Sequence, residues 1–408
     1  MIRRQRFPAL DGLRAIGALA VLTTHVGFQS GESLNGPFAG LLARLDVGVA
    51  IFFAISGFLL YRPHVVAWFE ESEPPRLLPY LRNRALRIVP ALWVAVVLAA
   101  VLVPHDQTVG FLNYLRHATF TQIYVERPSV PGLSQLWSLA TEVAFYLLLP
   151  FIAKLLTSYE RPTRRGVRWR LAVLFAFGLI GPAWMAAINA TDHSLAGLWL
   201  PGYLGWFAVG MGMALWQVAR TSGRLGPSPV DTLTKIPGTV WGVAIALFLI
   251  ATTPIAGPYG LSVPTPAQAF VKCLLYTGIA ACALFPAISP TRRTAGVLGG
   301  RIGHVAGDLS YSVFVYHLIV LDLVERLFDQ KLFSGHFAVL FWPTLVATIG
   351  VAAASYYGME RPIMRRGRRD RSYDVSGTGL DSNANAQPNK IDDWTKPEVR
   401  PAPPSGQG

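Results

Sequence analysis

The first apolar segment, LDGLRAIGALAVLTTHVGF (10–28), carries three ionisable side chains in one stripe. Arg14 and His25 are eleven residues apart. At about 100° per residue this spacing is three turns plus about 20°, so both side chains lie on one helix face, ~16 Å apart along its axis. Asp11, one turn before Arg14, joins the stripe. Because each of these groups is costly in lipid, the stripe is expected to line a protein interior or a wet cavity.

The composition is that of a membrane protein. Of the 408 residues, 52% are hydrophobic and only 14% are charged, and the mean hydropathy is +0.39. The apolar residues form blocks of about 17–25 residues, which is the length that crosses a bilayer as a helix. The sequence therefore predicts an all-α, polytopic helix bundle with about ten transmembrane helices. They are placed near 9–29, 40–61, 86–104, 136–156, 171–189, 198–218, 237–254, 267–288, 306–327 and 337–358.

The basic residues predict the topology. The net charge of +13 comes from Lys and Arg that cluster in alternate loops, as the positive-inside rule requires of cytoplasmic loops. Both termini are therefore expected in the cytoplasm, and the first segment is expected to be an uncleaved helix, not a signal peptide. The excess charge is topological and suits anionic lipid or an anionic cytoplasmic ligand, so nucleic acid is not an expected partner.

The chain is expected to consist of one membrane domain and a tail. Residues 1–365 form the predicted integral membrane domain, and the Gly-, Pro- and Asn-rich residues 366–408 are expected to be a disordered polar cytoplasmic tail. The longest outer loop, about 105–135, is large enough for a lid and contains His105, Asp106, Arg116 and His117. The spacing of Cys and His residues shows no metal-ligand pattern, and no metal is expected.

Three embedded side chains lie at one predicted depth, in the outer third of the membrane. His25 lies near the outer end of the first helix, and Asp46 and Glu142 lie about six residues inside the second and fourth. A carboxylate can fix the tautomer of an imidazole and leave its other nitrogen free as a base. Neighbouring backbone or hydroxyl groups could satisfy each side chain separately, but three at one depth favour a shared catalytic site.

Arginines form a second cluster near the cytoplasmic ends of the helices. Arg14 lies near the inner end of the first helix, Arg62 ends the second, and Arg84 and Arg87 lie one turn apart in the third. Guanidinium groups suit phosphate oxygens, so a phosphorylated ligand could bind here. Arginines also flank cytoplasmic helix ends for topology alone, which is the simpler explanation of the cluster.

The ninth segment, GDLSYSVFVYHLIVLDL (307–323), adds polar groups near mid-membrane. His317 should face the bundle, as a structural or a catalytic histidine. No glycine-flanked turn of a nucleophilic serine surrounds Ser310 or Ser312, so contact with substrate or hydrogen bonding between helices is the expected role of Ser310 and Tyr311.

Six segments in order resemble the acyltransferase-3 family of bacterial integral membrane O-acyltransferases. They cover residues 7–362 and include the spacing of Arg14 and His25. The matching segments are FPALDGLRAIGALAVLTTHVG (7–27), VGVAIFFAISGFLL (47–60), RNRALRIVPALW (82–93), LWSLATEVAFYLLLP (136–150), LSYSVFVYHLIV (309–320) and MERP (359–362).

The resemblance implies transfer of an acyl group, acetyl by default or succinyl, from cytoplasmic acyl-coenzyme A to a hydroxyl. The acceptor would be an envelope polysaccharide or glycolipid at the bacterial cytoplasmic membrane. The essential histidine and arginine of the family map onto His25 and Arg14, its RxxR motif onto Arg84 and Arg87, and its WSLxxE segment onto Glu142. Acyl-coenzyme A is then a donor substrate, and no permanently bound cofactor is expected.

Some relatives carry an esterase-like domain after the membrane part, and the sequence predicts a polar tail in its place, so a separate extracytoplasmic partner is possible. Direct transfer and an acyl-histidine intermediate remain alternatives. The main rival interpretation is a secondary transporter or flippase for an envelope precursor, which would also embed His, Glu and Arg. A scaffold protein is a weaker one.

Overall fold

The structure is a computed structural model that describes residues 5–104, 109–126, 130–157, 161–191, 194–226, 229–289 and 292–367. These residues form helices and turns without a strand, and nine of the helical segments are long and apolar enough to cross a membrane. This confirms the all-α polytopic bundle. The predicted tail from residue 368 onward, and loop residues His105, Asp106 and Arg127, lie outside the described residues.

The α-helices are numbered here in chain order. They are α1 Ala9–Ser30, α2 Glu32–Asn35, α3 Ala39–Arg44, α4 Gly48–Phe69, α5 Leu77–Leu102, α6 Phe111–Ala118, α7 Leu136–Thr157, α8 Arg164–Asn189, α9 Leu200–Thr221, α10 Pro229–Lys235, α11 Pro237–Ala251, α12 Pro266–Ile288, α13 Arg292–Leu298, α14 Arg301–Leu327 and α15 Phe337–Ser355. A π-helical turn, Tyr356–Glu360, continues α15.

One predicted span is shorter than expected. The segment predicted at 237–254 forms α11, which has 15 residues. At 1.5 Å per residue it is ~22 Å long, less than the ~30 Å hydrocarbon core of a bilayer. Pro237 begins this helix, and Thr252 follows its last residue and leads into the 3-10 turn Pro254–Ala256. The placement of both termini in the cytoplasm stays a prediction.

Several helices begin earlier than the hydropathy pattern indicates. α5 starts at Leu77 instead of near 86, and α8 and α14 each start several residues before their predicted positions. Basic residues lower the hydropathy of these first turns, yet arginine is a good helix former. Arg84 and Arg87 consequently lie well inside α5, where the helix fixes their direction.

The middle of α1 packs directly against α4. A Cβ atom added at Gly48 would overlap the carbonyl oxygen of Gly17, so these two glycines let the backbones touch. On another side α1 packs against α14, in which every residue from Val313 to Leu321 is buried. An all-round apolar helix belongs in the interior of a bundle. This arrangement puts His317 of α14 beside α1.

Backbone contacts fix the end of α1. Gly31 follows the helix at φ +84°, a conformation that glycine adopts without strain. The backbone N–H of Phe333 donates to the carbonyl of Gln29 at 2.7 Å, and that of Gly335 donates to the carbonyl of Ser30 at 2.8 Å. His25 therefore stands on a helix whose end is held in place.

Candidate active site

Arg14, near the start of α1, opens onto a small basic cavity. This arginine cavity has a volume of about 170 Å³, and the described residues of its wall include three arginines and one glutamate. The ionisable and hydroxyl side chains in its wall are Arg14, Ser56, Arg84, Arg87, Ser138, Glu142, Tyr146, Ser310 and Tyr311. Because guanidinium groups outnumber carboxylates, the cavity suits an anion that can accept several hydrogen bonds.

Asp11 holds Arg14 in position. Arg14 Nη1 donates to Asp11 Oδ1 at 2.9 Å, and the other carboxylate oxygen of Asp11 lies 3.0 Å from His304 Nδ1. Only 16% of the Arg14 side chain is exposed. Asp11 faces α14 closely enough that a Cβ atom on Gly307 would overlap it. Asp11 and Arg14 therefore lie together on α1 as the stripe predicts, and Asp11 forms an ion pair with the arginine.

The other charged groups of the arginine cavity come from α5 and α7. The Nε atom of Arg84 is buried and has no hydrogen-bond partner among the described residues. Glu142 accepts a hydrogen bond from the hydroxyl of Ser56. Glu142 thus lies with the arginines, whereas the sequence prediction placed it beside His25. A carboxylate among three guanidinium groups reduces their mutual repulsion.

A larger cavity lies at the other end of the α1 stripe. This histidine cavity has a volume of about 750 Å³ and is lined by His25. Several aromatic side chains also line it: Trp137, Tyr203, Trp206, Tyr259 and Tyr276. Val49 lines both the histidine cavity and the arginine cavity, so a single side chain separates them at that point. The stripe on α1 thus reaches two neighbouring cavities.

His25 pairs with a second histidine. Its Nδ1 atom lies 3.1 Å from His317 Nε2 and 2.8 Å from the carbonyl oxygen of Val21. His317 is 1% exposed, and its Nδ1 atom lies 2.7 Å from the carbonyl oxygen of Phe314. Among the described residues, the hydrogen-bonding side chain nearest to His25 is therefore a histidine and not one of the two predicted carboxylates.

Asp46 lies in the wall of the histidine cavity but bonds to other residues. Lys272 Nζ lies 2.9 Å from Asp46 Oδ2, and the Tyr276 hydroxyl donates to the other carboxylate oxygen. The two charged side chains are about one third exposed, Lys272 at 32% and Asp46 at 38%. The charge of Asp46 is thus balanced without His25.

The remaining predicted residues divide between these regions. Ser310 donates to the carbonyl of Gly307 and Tyr311 to that of Ile88, each at 2.7 Å, while both line the arginine cavity. Arg62 is outside that wall: it is buried, and its Nε donates to Gln217 Oε1 at 3.0 Å. The described residues contain no group of three or more His, Cys, Asp or Glu side chains that could hold a metal ion.

Two contacts of the site were not predicted from the sequence, the one between His25 and His317 and the one between Asp46 and Lys272. The sequence prediction placed His317 in the bundle without connecting it to His25, because spacing along one helix does not reveal which neighbour it faces. It also overlooked Lys272, although a lone lysine in the apolar run AQAFVKCLLY (267–276) is a signal for a functional or paired charge.

The described residues thus form a polytopic helix bundle in which a basic cavity lies beside a cavity lined by His25, as in an integral membrane protein with an internal polar site. The chain matches the model of the acyltransferase-3 family, described as an acyltransferase domain, over residues 7–357. It belongs to this family, which confirms the resemblance seen in the sequence.

Individual relatives agree with this assignment. The peptidoglycan O-acetyltransferase OatA of Listeria monocytogenes is 24% identical over 385 residues, covering 89% of this chain and 57% of that protein. The O-acetyltransferase OatA of Staphylococcus aureus is 24% identical over 380 residues, covering 88% and 57%. The chain thus spans 57% of the length of these two relatives.

A third relative is similar in length. Nodulation protein 10 of Rhizobium leguminosarum bv. viciae is 28% identical over 385 residues, covering 87% of this chain and 92% of that protein. No solved structure matches the chain.

Proposed function

We propose that this protein transfers an acyl group from cytoplasmic acyl-coenzyme A to a hydroxyl of a cell-envelope glycan or glycolipid, with His25 as general base. The proposed location is the bacterial cytoplasmic membrane. The acyl group is acetyl, with succinyl as the alternative. The histidine pair of His25 and His317 is the observation that carries the proposal.

The hydrogen bonds of His317 determine the tautomer of His25. A carbonyl oxygen only accepts, so His317 Nδ1, 2.7 Å from the carbonyl of Phe314, carries a proton. In the neutral ring, His317 Nε2 is then unprotonated, and its lone pair accepts a hydrogen bond from Nδ1–H of His25. The Nε2 atom of His25 is left unprotonated, and it makes no hydrogen bond among the described residues. A base needs such a free lone pair.

The same contacts stabilise His25 after it takes a proton. Its Nδ1–H then points at two acceptors, His317 Nε2 at 3.1 Å and the Val21 carbonyl at 2.8 Å. Both acceptors favour the imidazolium form, as an orienting group does for a catalytic histidine. His317 acts here as a positioning residue, in the role that the sequence prediction gave to Glu142 and Asp46.

The arginine cavity supports a phosphorylated donor. Arg14, Arg84 and Arg87 provide guanidinium groups for the phosphates of coenzyme A, and Glu142 and Ser56 shape the same wall. The rise along α1 between Arg14 and His25 is ~16 Å. The thin pantetheine arm would cover this distance past Val49, which lines both cavities.

In the proposed reaction, His25 Nε2 takes the proton of the acceptor hydroxyl. At the same time the hydroxyl oxygen of the acceptor attacks the carbonyl carbon of the thioester. The carbon–sulfur bond then breaks, and the leaving thiolate of coenzyme A takes the proton from the imidazolium. The products are an ester and free coenzyme A. The aromatic wall of the histidine cavity, including Trp137 and Trp206, suits the apolar faces of sugar rings.

The test uses the full chain in lipid nanodiscs with radiolabelled acetyl-coenzyme A and extracted envelope glycans. We expect label to appear in the glycan as a base-labile ester, and mass spectrometry then identifies the acyl group and the acceptor. Transport of an envelope precursor that neither needs nor consumes acyl-coenzyme A, without ester formation, would contradict the proposal and support a secondary transporter or flippase.

A further inference from the structure

A separate polar pocket lies beside the histidine cavity. This loop pocket has a volume of about 250 Å³ and is formed by α6, the 3-10 turn Gln122–Tyr124 and the start of α7. Ser134, Trp137 and Leu198 line both the loop pocket and the histidine cavity. A molecule in the histidine cavity is therefore within reach of the loop pocket.

Three side chains that line the loop pocket each contain a buried polar atom without a hydrogen-bond partner among the described residues. Asn113 is 7% exposed and its Nδ2 atom has no hydrogen-bond partner among the described residues. The Nη1 atom of Arg116 and the Oε1 atom of Gln122 are also buried without a partner there. Buried polar atoms left unpaired are costly, so three of them around one cavity indicate a ligand that pairs with them.

The helix α6 directs these groups to one side. Asn113, Arg116 and His117 are spaced i, i+3 and i+4, which places them on the same face. His117 Nδ1 lies 2.8 Å from the carbonyl of Asn113, and burial lowers the pKa of His117 below its usual value. The ring is therefore neutral at physiological pH.

The charge of the pocket wall is that of one arginine. Among the described residues that line the loop pocket, Arg116 is the charged side chain, and no carboxylate among them balances it. An arginine and an amide N–H side by side match the two oxygens of a carboxylate. Gln122 Oε1, which has no partner among the described residues, can accept a hydrogen bond from an N–H or hydroxyl of a ligand, and Trp137 offers a flat surface for a sugar ring.

We propose that the loop pocket binds a carboxylate held next to the transferred ester, carried by an acidic saccharide acceptor. Arg116 and Asn113 bind the carboxylate, while Gln122 binds an N–H or hydroxyl of the same sugar. A dicarboxylic acyl group such as succinyl presents the same chemistry from the donor side. This inference rests on the proposed function, because it assigns the acceptor of that reaction.

The test compares matched acceptors with wild-type protein and Arg116→Gln in nanodiscs. N-acetylmuramic acid and N-acetylglucosamine differ by one carboxylate-bearing ether, and acetyl-coenzyme A is the donor in both reactions. We expect Arg116→Gln to raise the KM for N-acetylmuramic acid about 10-fold and to leave that for N-acetylglucosamine unchanged, because a charge-assisted hydrogen bond is lost. Asn113→Leu should act in the same direction.

The matched control is Arg326→Gln, because Arg326 is exposed and lines neither cavity nor the loop pocket. A second arm exchanges acetyl-coenzyme A for succinyl-coenzyme A with the neutral acceptor. If Arg116→Gln weakens only succinyl transfer, the carboxylate in the loop pocket belongs to the donor, and the assignment of an acidic saccharide acceptor is wrong.

An equal change in the KM values of all substrates in Arg116→Gln, or no change in any of them, would contradict carboxylate binding in the loop pocket. The proposed acyl transfer would not be affected by that result. Absence of transfer to every acceptor by wild-type protein would instead remove the proposed function. Thermal stability of each variant in nanodiscs identifies a variant that has failed to fold, and Arg116→Lys, which retains the charge, should then restore part of the selectivity.

Discussion

The two cavities at the ends of the α1 stripe differ in charge and in size. The arginine cavity is small, at about 170 Å³, and its charged wall consists of three arginines and Glu142. The histidine cavity is larger, at about 750 Å³, and the acidic and basic side chains among its described lining residues, Asp46 and Lys272, form an ion pair. An unbalanced positive wall selects an anion, whereas an aromatic wall with paired charges accepts a mostly neutral, ring-shaped ligand.

One helix therefore contributes a side chain to each of two chemically different cavities. α1 contributes Arg14 to one cavity and His25 to the other. Asp11, in the same stripe, holds Arg14, and His317 on α14 holds His25. If the account is correct, substitutions in the arginine cavity change donor binding, and substitutions in the histidine cavity change chemistry or acceptor binding.

The largest expected effect is that of His25→Asn. Removal of a general base lowers kcat by about 100- to 10,000-fold, while binding of acyl-coenzyme A should stay the same. Acyl transfer is measured with labelled acetyl-coenzyme A and a glycan acceptor. His336→Asn is a matched control, because His336 is exposed at φ +63°, where asparagine is well tolerated. Transfer at the wild-type rate by His25→Asn would show that His25 is not the base.

A large effect on the donor is expected from Arg87→Gln. Loss of a charge-assisted hydrogen bond to phosphate should raise the KM for acyl-coenzyme A about 10- to 100-fold, with a smaller change in kcat. A donor truncated to acyl-pantetheine, which lacks the phosphates, should be used equally by both proteins. Arg76→Gln is the control, since Arg76 is exposed and lies outside the wall of the arginine cavity, with its Nη2 atom 3.6 Å from Glu73 Oε2. Equal KM values for all three proteins would contradict the donor assignment.

A moderate effect is expected when the histidine pair is broken. His317→Leu removes the acceptor for Nδ1–H of His25 and should lower kcat about 2- to 10-fold, as expected for one neutral hydrogen bond. His317→Gln supplies an amide oxygen and should recover part of this loss. KM values for both substrates should not change. A parallel rise in KM for acyl-coenzyme A would indicate that His317 only supports the fold.

The smallest effect is expected from the ion pair in the histidine cavity. Asp46 and Lys272 are partly exposed, so their pairing contributes about 0.2–1 kcal/mol to stability. A double-mutant cycle with Asp46→Asn and Lys272→Met, followed by thermal unfolding in nanodiscs, measures this coupling. Both single variants should bind acyl-coenzyme A normally. If Asp46→Asn instead reproduced the kcat of His25→Asn, Asp46 would be acting on the base.

Much of the bundle could be predicted from the sequence, because apolar length and the stripe on α1 follow from local periodicity. Hydropathy misplaced the start of α5, since arginines lower hydropathy without ending a helix. It also predicted a full span at 237–254, where the helix α11 stops at Ala251. Both differences arise at helix ends, where the hydropathy of the sequence changes at a different residue from the one at which the backbone helix begins or ends.

The site could be predicted only in part. The spacing of residues on one helix placed Arg14 and His25 on one face and Arg84 and Arg87 one turn apart, and the resemblance to the family then matched the second pair to its RxxR motif. The partner of His25 depends on how α1 packs against α14, which no local pattern encodes. Predicted depth alone grouped Glu142 with His25, but in the structure Glu142 lines the arginine cavity.

The most direct test of the two-cavity account is the affinity for coenzyme A in the absence of an acceptor. Titration calorimetry on the full chain in nanodiscs compares wild-type protein, His25→Asn and Arg87→Gln. Wild-type affinity is expected for His25→Asn, and an affinity about 10- to 100-fold weaker is expected for Arg87→Gln, because Arg87, and not His25, contacts the phosphates in the proposed complex. Weak binding by His25→Asn together with unchanged binding by Arg87→Gln would contradict the two-cavity account.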